Sequence, residues 1–334
     1  MSETGMPETG MPENRMAANG IAETGIAENG ASRNRAPRNG ASGNGRLPVA
    51  KTHKLHIGGA FPRSESGRVY PVHDWRGEFL ANAARASRKD VRDAVSAARK
   101  AFGGWSGASA HNRGQVLFRV AEVLEGRRAQ FADQISAAEG VAREAASSLV
   151  DTAIDRVVWY AGWTDKIATV LGATNPVAGP YSSFSVPEPT GVVGVLAPAD
   201  SSLLGLVGVL APVLAAGNAA VVLASERRPL AAVTFAEVLA TSDVPGGVAN
   251  VLTGPVDELA PTIAAHGDVD ALDPTGADAR LRADLEEAAA ENVKRVLQVP
   301  RGEVRGEQDW TRPPGIQRLR TFTELKTVWH PVGT

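Results

Sequence analysis

The stretch from Gly191 to Ser225, GVVGVLAPADSSLLGLVGVLAPVLAAGNAAVVLAS, decides the fold. Residues 191–198 form a short, continuous apolar run, which is typical of a strand that is covered on both faces. Residues 203–218 then have the character of an apolar helix that ends at Gly217. Residues 219–225 form a second buried strand. A strand, a helix and a second strand in this order predict a parallel crossover unit.

The same alternation continues to the end of this region. Ser225 and Pro229 mark the start of the next helix, and Gly246 and Gly247 lead into the third strand. The later predicted strands are 248–254, 269–273 and 293–299, and the later predicted helices are 229–241, 257–265 and 278–290. Right-handed crossovers place helices on both faces of such a sheet. The predicted class is therefore α/β, with a Rossmann-like doubly wound parallel sheet over residues 190–299.

Residues 85–175 are predicted to be mainly helical. Ser87 is in position to cap a helix over 87–102, whose apolar residues recur at helical spacing. A second helix is predicted over 112–128 and a long third one over 146–171, before Asn175-Pro176 breaks the pattern. Ahead of them, residues 54–61 are predicted to form a strand with a turn at Gly58-Gly59. We place the folded domain at 47–299.

Residues 1–46 differ from the rest, because they repeat in units of five from MSETG and MPETG to ASGNG. A pentad with one modest apolar residue buries too little surface to offset the entropy of ordering the chain. We therefore interpret residues 1–46 as a disordered low-complexity tail, with a stacked solenoid or a partner-binding arm as the alternatives.

Composition excludes several classes of function. The 334 residues contain 35 Lys and Arg against 37 Asp and Glu, so the net charge of −2 argues against a nucleic-acid-binding protein. No apolar run is long enough for a membrane span, and no secretory signal is visible, so we expect a cytoplasmic protein without a membrane partner. The sequence contains no cysteine. Disulfides, thiolate metal sites and cysteine nucleophiles are thereby excluded.

Other motifs favour structural roles. His53 and His56 form H-x-x-H, but on a strand they would face opposite sides, so no metal site is predicted. Gly205 and Gly208 follow the first strand of the sheet without the G-x-G-x-x-G pattern of a phosphate loop, so we interpret them as packing positions. The aromatic cluster around Trp159 is expected to pack in the core or in an interface.

Several motifs occur together in the order in which aldehyde dehydrogenases carry them. EPTGVVGVLAP at 188–198 is similar to the segment that enters the first strand of the family's nucleotide domain. The others are LAPVLAAGN (210–218), SERRPL (225–230), VPGGVANVLTGP (244–255), HGDVDALDPTG (266–276) and RTFTELKTV (320–328). The chain thus resembles the aldehyde dehydrogenase superfamily. The resemblance implies a nucleotide-binding-type domain and the oxidation of aldehydes by a cysteine thiolate with NAD(P).

The resemblance also implies that the catalytic residues are degenerate. The family's oxyanion-binding Asn aligns with Asp200, which accepts hydrogen bonds when ionised and would repel an oxyanion. The general-base Glu aligns with Val299, which cannot move a proton. Since the chain has no cysteine either, we expect a shortened pseudoenzyme without catalytic residues.

The cofactor-binding residues implied by the resemblance are partly kept. The Lys that holds the adenosine ribose aligns with Leu223, whereas its Glu partner is kept as Glu226. The Ser that meets the pyrophosphate aligns with Ala277, whereas Thr275 and Gly276 remain. We therefore expect no tightly bound cofactor, and at most weak binding of NAD(P) through helix N-terminal amides.

After Val299 the chain passes directly to the family's C-terminal strand. We interpret residues 300–319 as a linker that replaces the catalytic domain, and we expect the surface vacated by that domain to be apolar. Residues 181–187 and 320–328 correspond to the family's subunit-bridging strands, which here would form a small β-ribbon. A lone ribbon is marginally stable and presents unpaired backbone groups.

The resemblance therefore implies a catalytically inactive subunit that assembles with a full-length aldehyde dehydrogenase paralogue in a hetero-oligomer. Two alternatives stay open. One is a residual NAD(P)-binding module, and the other is a weak aldehyde dehydrogenase with a mechanism that does not use cysteine.

Overall fold

A computed structural model of the chain describes residues 51–298 and 308–332. The N-terminal tail predicted over 1–46 and the aligned position Val299 lie outside the described residues. The first element is a three-stranded sheet in the order β1-β3-β2, in which β1 and β3 are parallel and β2 and β3 are antiparallel. Its strands are β1 (Thr52–His53), β2 (Val69–His73) and β3 (Phe79–Ala84).

The strand predicted over 54–61 is reduced to two single bridges. His56 pairs with Val251, and Ile57 pairs with Ala60 across the Gly58-Gly59 turn. The turn was predicted correctly, because both glycines have positive φ angles of 63° and 85°. The strand prediction was wrong, since the chain reverses at this turn after two bridged residues.

Five helices follow, and the first begins where the sequence predicted. Ser87 accepts hydrogen bonds from the N–H groups of Lys89 and Asp90, and the Asp90 carboxylate accepts from the N–H of Ser87, which completes a capping box. The long third helix predicted over 146–171 is divided in two, because the helix ends at Gly162. The helices are α1 (Arg88–Ser106), α2 (Ala110–Gly126), α3 (Arg128–Glu139), α4 (Arg143–Ala161) and α5 (Ile167–Leu171).

Two strands lead into the central sheet. They are β4 (Ala173–Asn175) and β5 (Tyr181–Pro189), which pair antiparallel. The chain then enters the alternating region that the sequence predicted. In chain order it contains β6 (Val192–Leu196), α6 (Leu204–Ala215), β7 (Ala219–Leu223), α7 (Leu230–Ala240), β8 (Ala249–Leu252), α8 (Val256–Ala265), β9 (Ala271–Asp273), α9 (Ala279–Ala290) and β10 (Arg295–Val296).

The central sheet is parallel throughout and has the order β10-β9-β6-β7-β8. All residues of β6, β7, β8 and β9 are buried, which explains their continuous apolar runs. The strand order reverses between β6 and β9, as in a Rossmann-like doubly wound sheet. Two apolar clusters cover the sheet. One is formed largely with α4, α6 and α7, and the other largely with α1 and α8. The predicted fold class is confirmed.

The last elements are α10 (Gln317–Thr321) and β11 (Thr323–Pro331). β11 pairs antiparallel with β5 over nine residues, and with β4 they form a three-stranded sheet in the order β11-β5-β4, called the bridging sheet below. Two predictions are corrected here. Arg320 belongs to a helix, because Leu319 and Phe322 turn into the core on either side of it. The bridging element is a sheet of three strands rather than a ribbon of two.

Candidate functional site

The candidate site lies at the carboxyl ends of the central strands. In an open parallel sheet, ligands bind in the crevice where the strand order reverses, which here is the gap between β6 and β9. The loops that follow β6, β7 and β9 carry the positions to which the sequence analysis assigned a cofactor. The geometry of these loops therefore determines whether a dinucleotide fits.

Leu223 and Glu226 lie at the end of β7, in different environments. Leu223 is 1% exposed and packs in the apolar cluster that includes α1 and α8, so it offers no cation for a ribose or a phosphate. Glu226 is exposed, and its Oε2 accepts a hydrogen bond of 3.3 Å from the N–H of Val256 at the start of α8. The retained carboxylate is thus used to cap a helix of this chain.

Thr275, Gly276 and Ala277 form the turn after β9. A Cβ on Gly276 would lie 2.1 Å from the carbonyl oxygen of Ala197, so only glycine allows this turn to approach the end of β6. Its N–H donates to the carbonyl of Leu196 at 3.0 Å. Ala277 is buried and contributes no hydroxyl group. The structure brings these three residues next to the gap between β6 and β9.

The N-terminus of α9, which follows this turn, is occupied by a side chain. Asp278 accepts a hydrogen bond of 2.8 Å from the N–H of Leu281. Carboxylates therefore lie at the N-termini of both α8 and α9, where Glu226 and Asp278 satisfy helix amides. A negative side chain at a helix N-terminus is stabilising for the helix, but it repels a phosphate that would use the same position.

A carboxylate at the end of β9 holds the segment that returns from the C-terminal side. Asp273 is fully buried, and its Oδ2 accepts a hydrogen bond of 2.8 Å from Nε of Arg318. Nη2 of Arg318 donates to the Thr275 hydroxyl at 2.8 Å, and that hydroxyl donates to Asp273. The Arg318 guanidinium also lies 5.6 Å from the centre of the Trp310 ring. The only hydroxyl predicted to bind cofactor is thus already bound to a guanidinium of this chain.

Residues 309–322, called the strap below, carry Trp310 and Arg318. The described part of the predicted 300–319 linker is therefore not extended but packed. Leu319 and Phe322 are fully buried in the same cluster as α6. Through these two residues the strap covers apolar surface of the core. The expected apolar surface left by the missing domain stays a prediction.

Asp200 lies in the loop between β6 and α6, and its side chain is exposed. The loop is held by other groups. Ser202 donates from both its N–H and its hydroxyl to Oε1 of Glu139, at 2.7 and 2.6 Å, and the Ser201 hydroxyl accepts from the N–H of Gly205. These bonds tie the loop to the end of α3 and to the first turn of α6. A carboxylate in this position brings no oxyanion donor.

A cleft of 450 Å³ beside Glu226 was not anticipated from the sequence. Its lining includes Tyr70, Trp75 and Arg227. The Tyr70 hydroxyl is buried without a hydrogen-bond partner among the described residues, and burial, followed by the charge of Glu226, raises its pKa above the ordinary value. Tyr70 and Trp75 lie in the β2–β3 hairpin. The sequence analysis missed this hairpin because its mixture of polar and apolar residues does not predict strands.

Neither a metal nor a membrane is indicated by the described residues. In ranges 51–298 and 308–332, no three His, Cys, Asp or Glu side chains group together as metal ligands do. His53 and His56 are both buried. None of the helices in those ranges combines the length and the apolar character that crossing a bilayer requires.

The fold and the site together define a Rossmann-like domain with a nucleotide-type crevice. Residues 61–299 match the Aldehyde dehydrogenase family. Retinal dehydrogenase 2 of Gallus gallus is 35% identical over 251 residues, which cover 74% of this chain and 48% of that protein. The putative aldehyde dehydrogenase DhaS of Bacillus subtilis (strain 168) is 32% identical over 249 residues, which cover 73% and 50%. The chain belongs to the aldehyde dehydrogenase family.

Solved structures agree. The structure of HpcC from Thermus thermophilus is similar with a TM-score of 0.70 and 29% identity, and it covers 74% of this chain and 47% of that one. The NAD+ complex of an aldehyde dehydrogenase from Bacillus cereus has a TM-score of 0.69 and 26% identity, with coverage of 74% and 50%. The chain spans about half the length of the curated relatives that it matches.

Proposed function

We propose that this chain is a catalytically inactive member of the aldehyde dehydrogenase family. It acts as a structural or regulatory subunit in a hetero-oligomer with a full-length NAD(P)-dependent aldehyde dehydrogenase. The observation that carries the proposal is a sequence without cysteine that keeps a nine-residue strand, β11, with an open edge. The absence of cysteine removes the nucleophile, and the open edge of β11 supplies a surface for a partner.

The inactivity is supported at the aligned catalytic positions. No thiolate exists in the 334 residues, so the covalent step that the resemblance implies has no nucleophile. Asp200 places a carboxylate where the resemblance implies an oxyanion donor, and the Val299 side chain cannot accept a proton. Each change alone would impair catalysis, and together they leave out the nucleophile, the oxyanion donor and the general base that the resemblance implies.

Weak or absent cofactor binding follows from the site. A dinucleotide needs donors for its phosphates and a partner for its ribose hydroxyls. Here Glu226 and Asp278 each accept from one amide in the first turn of α8 and α9, Leu223 is apolar, and the Thr275 hydroxyl is bound to Arg318. The residues present therefore do not fit tightly bound NAD(P).

The open edge of β11 can be assigned residue by residue. Val332 donates to the carbonyl of Pro180, and Thr190 donates to the carbonyl of Phe322, so the even-numbered residues of β11 face β5. In an antiparallel pair, the backbone groups of the intervening residues point away from that partner. The N–H and C=O groups of Leu325, Thr327 and Trp329 therefore point to the side of β11 that carries no strand among the described residues.

Two large side chains on the same strand are apolar and exposed. Leu325 is 61% exposed and Trp329 is 58% exposed. Trp329 lies edge-on to Tyr181, with 5.9 Å between ring centres, so the two rings extend one exposed surface. An added strand would satisfy the backbone edge and cover these side chains in one step. A strand and an apolar cover are what a full-length subunit would supply.

The test is co-expression of the chain with a full-length aldehyde dehydrogenase from the same cell, followed by size exclusion with mass measurement. Thr327→Pro removes an N–H from the open edge while keeping the backbone hydrogen bonds to β5, because proline is tolerated where the N–H faces outward. Thr327→Val is the matched control, since both variants lose the hydroxyl bond of Thr327 to Ser185.

We expect a mixed complex with wild type and with Thr327→Val, and its loss with Thr327→Pro. A wild-type chain that stays a monomer beside the long chain, or that pairs only with itself, refutes the hetero-oligomer. Reduction of NAD(P) by the isolated chain with an aldehyde refutes the inactivity.

A further inference from the structure

Side chains of the strap contact the elements on both sides of the crevice that the central sheet offers to a ligand. Its Arg318 is fixed on Asp273 at the carboxyl end of β9, and its Trp310 packs against Gly208 in α6, the helix that follows β6. β6 and β9 are the two strands between which the strand order reverses. The strap therefore spans both sides of the gap in which an open parallel sheet binds its ligand.

The strap is held by side chains along its length. Arg156 in α4 donates from Nη2 to the carbonyl of Arg312 at 2.6 Å, and the Tyr160 hydroxyl donates to the carbonyl of Gly315 at 3.3 Å. These contacts join the strap to α4, while Leu319 is buried against the core. The strap is therefore docked at its beginning, in its middle and at its end.

Docking of the strap uses groups that a dinucleotide would also need. The Thr275 hydroxyl has no proton to offer a phosphate oxygen while it donates to Asp273 and accepts from Arg318 at 2.8 Å. The Trp310 indole packs against Gly208, about one turn into α6, so the strap also covers the helix that follows β6. A dinucleotide at the end of β9 would meet the Arg318 side chain of the strap.

We propose that the strap is an intramolecular plug: the docked strap and a bound dinucleotide exclude each other, and nucleotide binding requires the strap to leave the crevice. The proposal rests on the interpretation of this crevice as a relict nucleotide site, but it does not depend on the partner subunit. The plug accounts for a chain that keeps Thr275 and Gly276 while its own Arg318 occupies the Thr275 hydroxyl.

Gly208 provides a variant that loosens the strap without changing any residue assigned to the cofactor. A Cβ on Gly208 would lie 2.8 Å from Cε3 and Cζ3 of Trp310. Because the indole is rigid, it can relieve this contact only if the whole ring moves away. Gly208→Ala should therefore push Trp310 and the strap outward. Gly103→Ala is the matched control, because Gly103 lies in helix α1 with no heavy atom within 4 Å of its added Cβ.

The experiment measures two quantities in the full chain. Hydrogen exchange of peptides covering residues 309–322 reports docking of the strap, and titration with NADH, followed by its fluorescence, reports nucleotide binding. If the strap is docked in about 99% of wild-type molecules, its release strengthens apparent NADH binding by up to about 100-fold. We expect faster exchange and at least about tenfold tighter NADH binding for Gly208→Ala, and no change for Gly103→Ala.

Trp310→Ala is the second variant, in case Gly208→Ala does not fold, because it leaves α6 unchanged and should give the same two effects. Added NADH should also speed exchange of the strap in the wild type. Faster exchange with unchanged NADH binding overturns the plug, as does a strap that exchanges no faster in both variants. Formation of the mixed complex is measured separately, so a failed plug leaves the proposed subunit role standing.

Discussion

Replacement of His56 should remove about 2 kcal/mol of the stability that this fold loses between pH 7 and pH 5. The His56 ring is 4% exposed, lies 4.8 Å from the Phe61 ring, and has no hydrogen-bond partner for either nitrogen among the described residues. Its backbone is fixed on β8, where the N–H donates to the carbonyl of Val251 at 2.9 Å. Burial lowers the pKa of His56 from 6.5 to about 4, and the nearby Ala249 backbone offsets this only in part.

The sign of the effect follows from the proton count. Between pH 6.5 and about 4 the unfolded chain binds a proton at His56 that the folded chain does not, so the free energy of unfolding falls as the pH falls. One pKa unit corresponds to about 1.36 kcal/mol, so the loss from pH 7 is about 2 kcal/mol at pH 5 and about 3 kcal/mol at pH 4. Burial is also the main cause that lowers the pKa of His53, so His53 too reduces the free energy of unfolding as the pH falls.

The assay is urea unfolding at pH 7 and at pH 5 of the wild type, His56→Leu and His111→Leu. His56→Leu should lose about 2 kcal/mol less than the wild type between the two pH values, because its folded and unfolded states bind the same protons at this position. His111 is exposed on α2, so its variant serves as the control and should keep the wild-type dependence. Equal losses in the wild type and in His56→Leu would refute the reasoning.

Two further predictions concern the crevice. Arg318→Leu leaves the fully buried Asp273 without its guanidinium, so the free energy of unfolding in urea should fall by about 3–5 kcal/mol. Arg320→Leu, on the exposed side of the same helix, should cost about 0.5 kcal/mol or less. Equal losses in the two variants would contradict the pairing. Gly276→Ala should abolish the cooperative thermal transition seen by circular dichroism, because its Cβ would lie 2.1 Å from a backbone oxygen, whereas Gly267→Ala has open space; a wild-type transition in Gly276→Ala would contradict the packing.

The central sheet could be predicted because its strands are buried on both faces. Continuous apolar runs such as 191–198 and 219–225 are favourable only where both faces of the strand are buried, so they predict strands inside a covered sheet. The N-terminal hairpin of β2 and β3 was missed because exposed polar residues such as His73 interrupt β2, which leaves no clear apolar period. The break of the long helix at Gly162 was missed since the apolar pattern continues past the glycine.

The site could be predicted only where the chain resembles its family. The positions of Leu223, Glu226, Thr275 and Gly276 follow from the resemblance, but their present partners do not. The pairing of Asp273 with Arg318 depends on how the chain returns after residue 299, and no local pattern contains that path. One signal existed: a carboxylate that ends an otherwise apolar strand requires a buried partner.

The open edge of β11 has a consequence for how the chain is made. A nine-residue strand with outward backbone groups is a template on which identical strands can stack, and Glu324, Lys326 and Pro331 protect this edge only in part. On the proposed subunit role, molecules made in excess of a partner that covers this edge would collect into insoluble assemblies or be degraded. That role therefore predicts balanced synthesis of the two proteins.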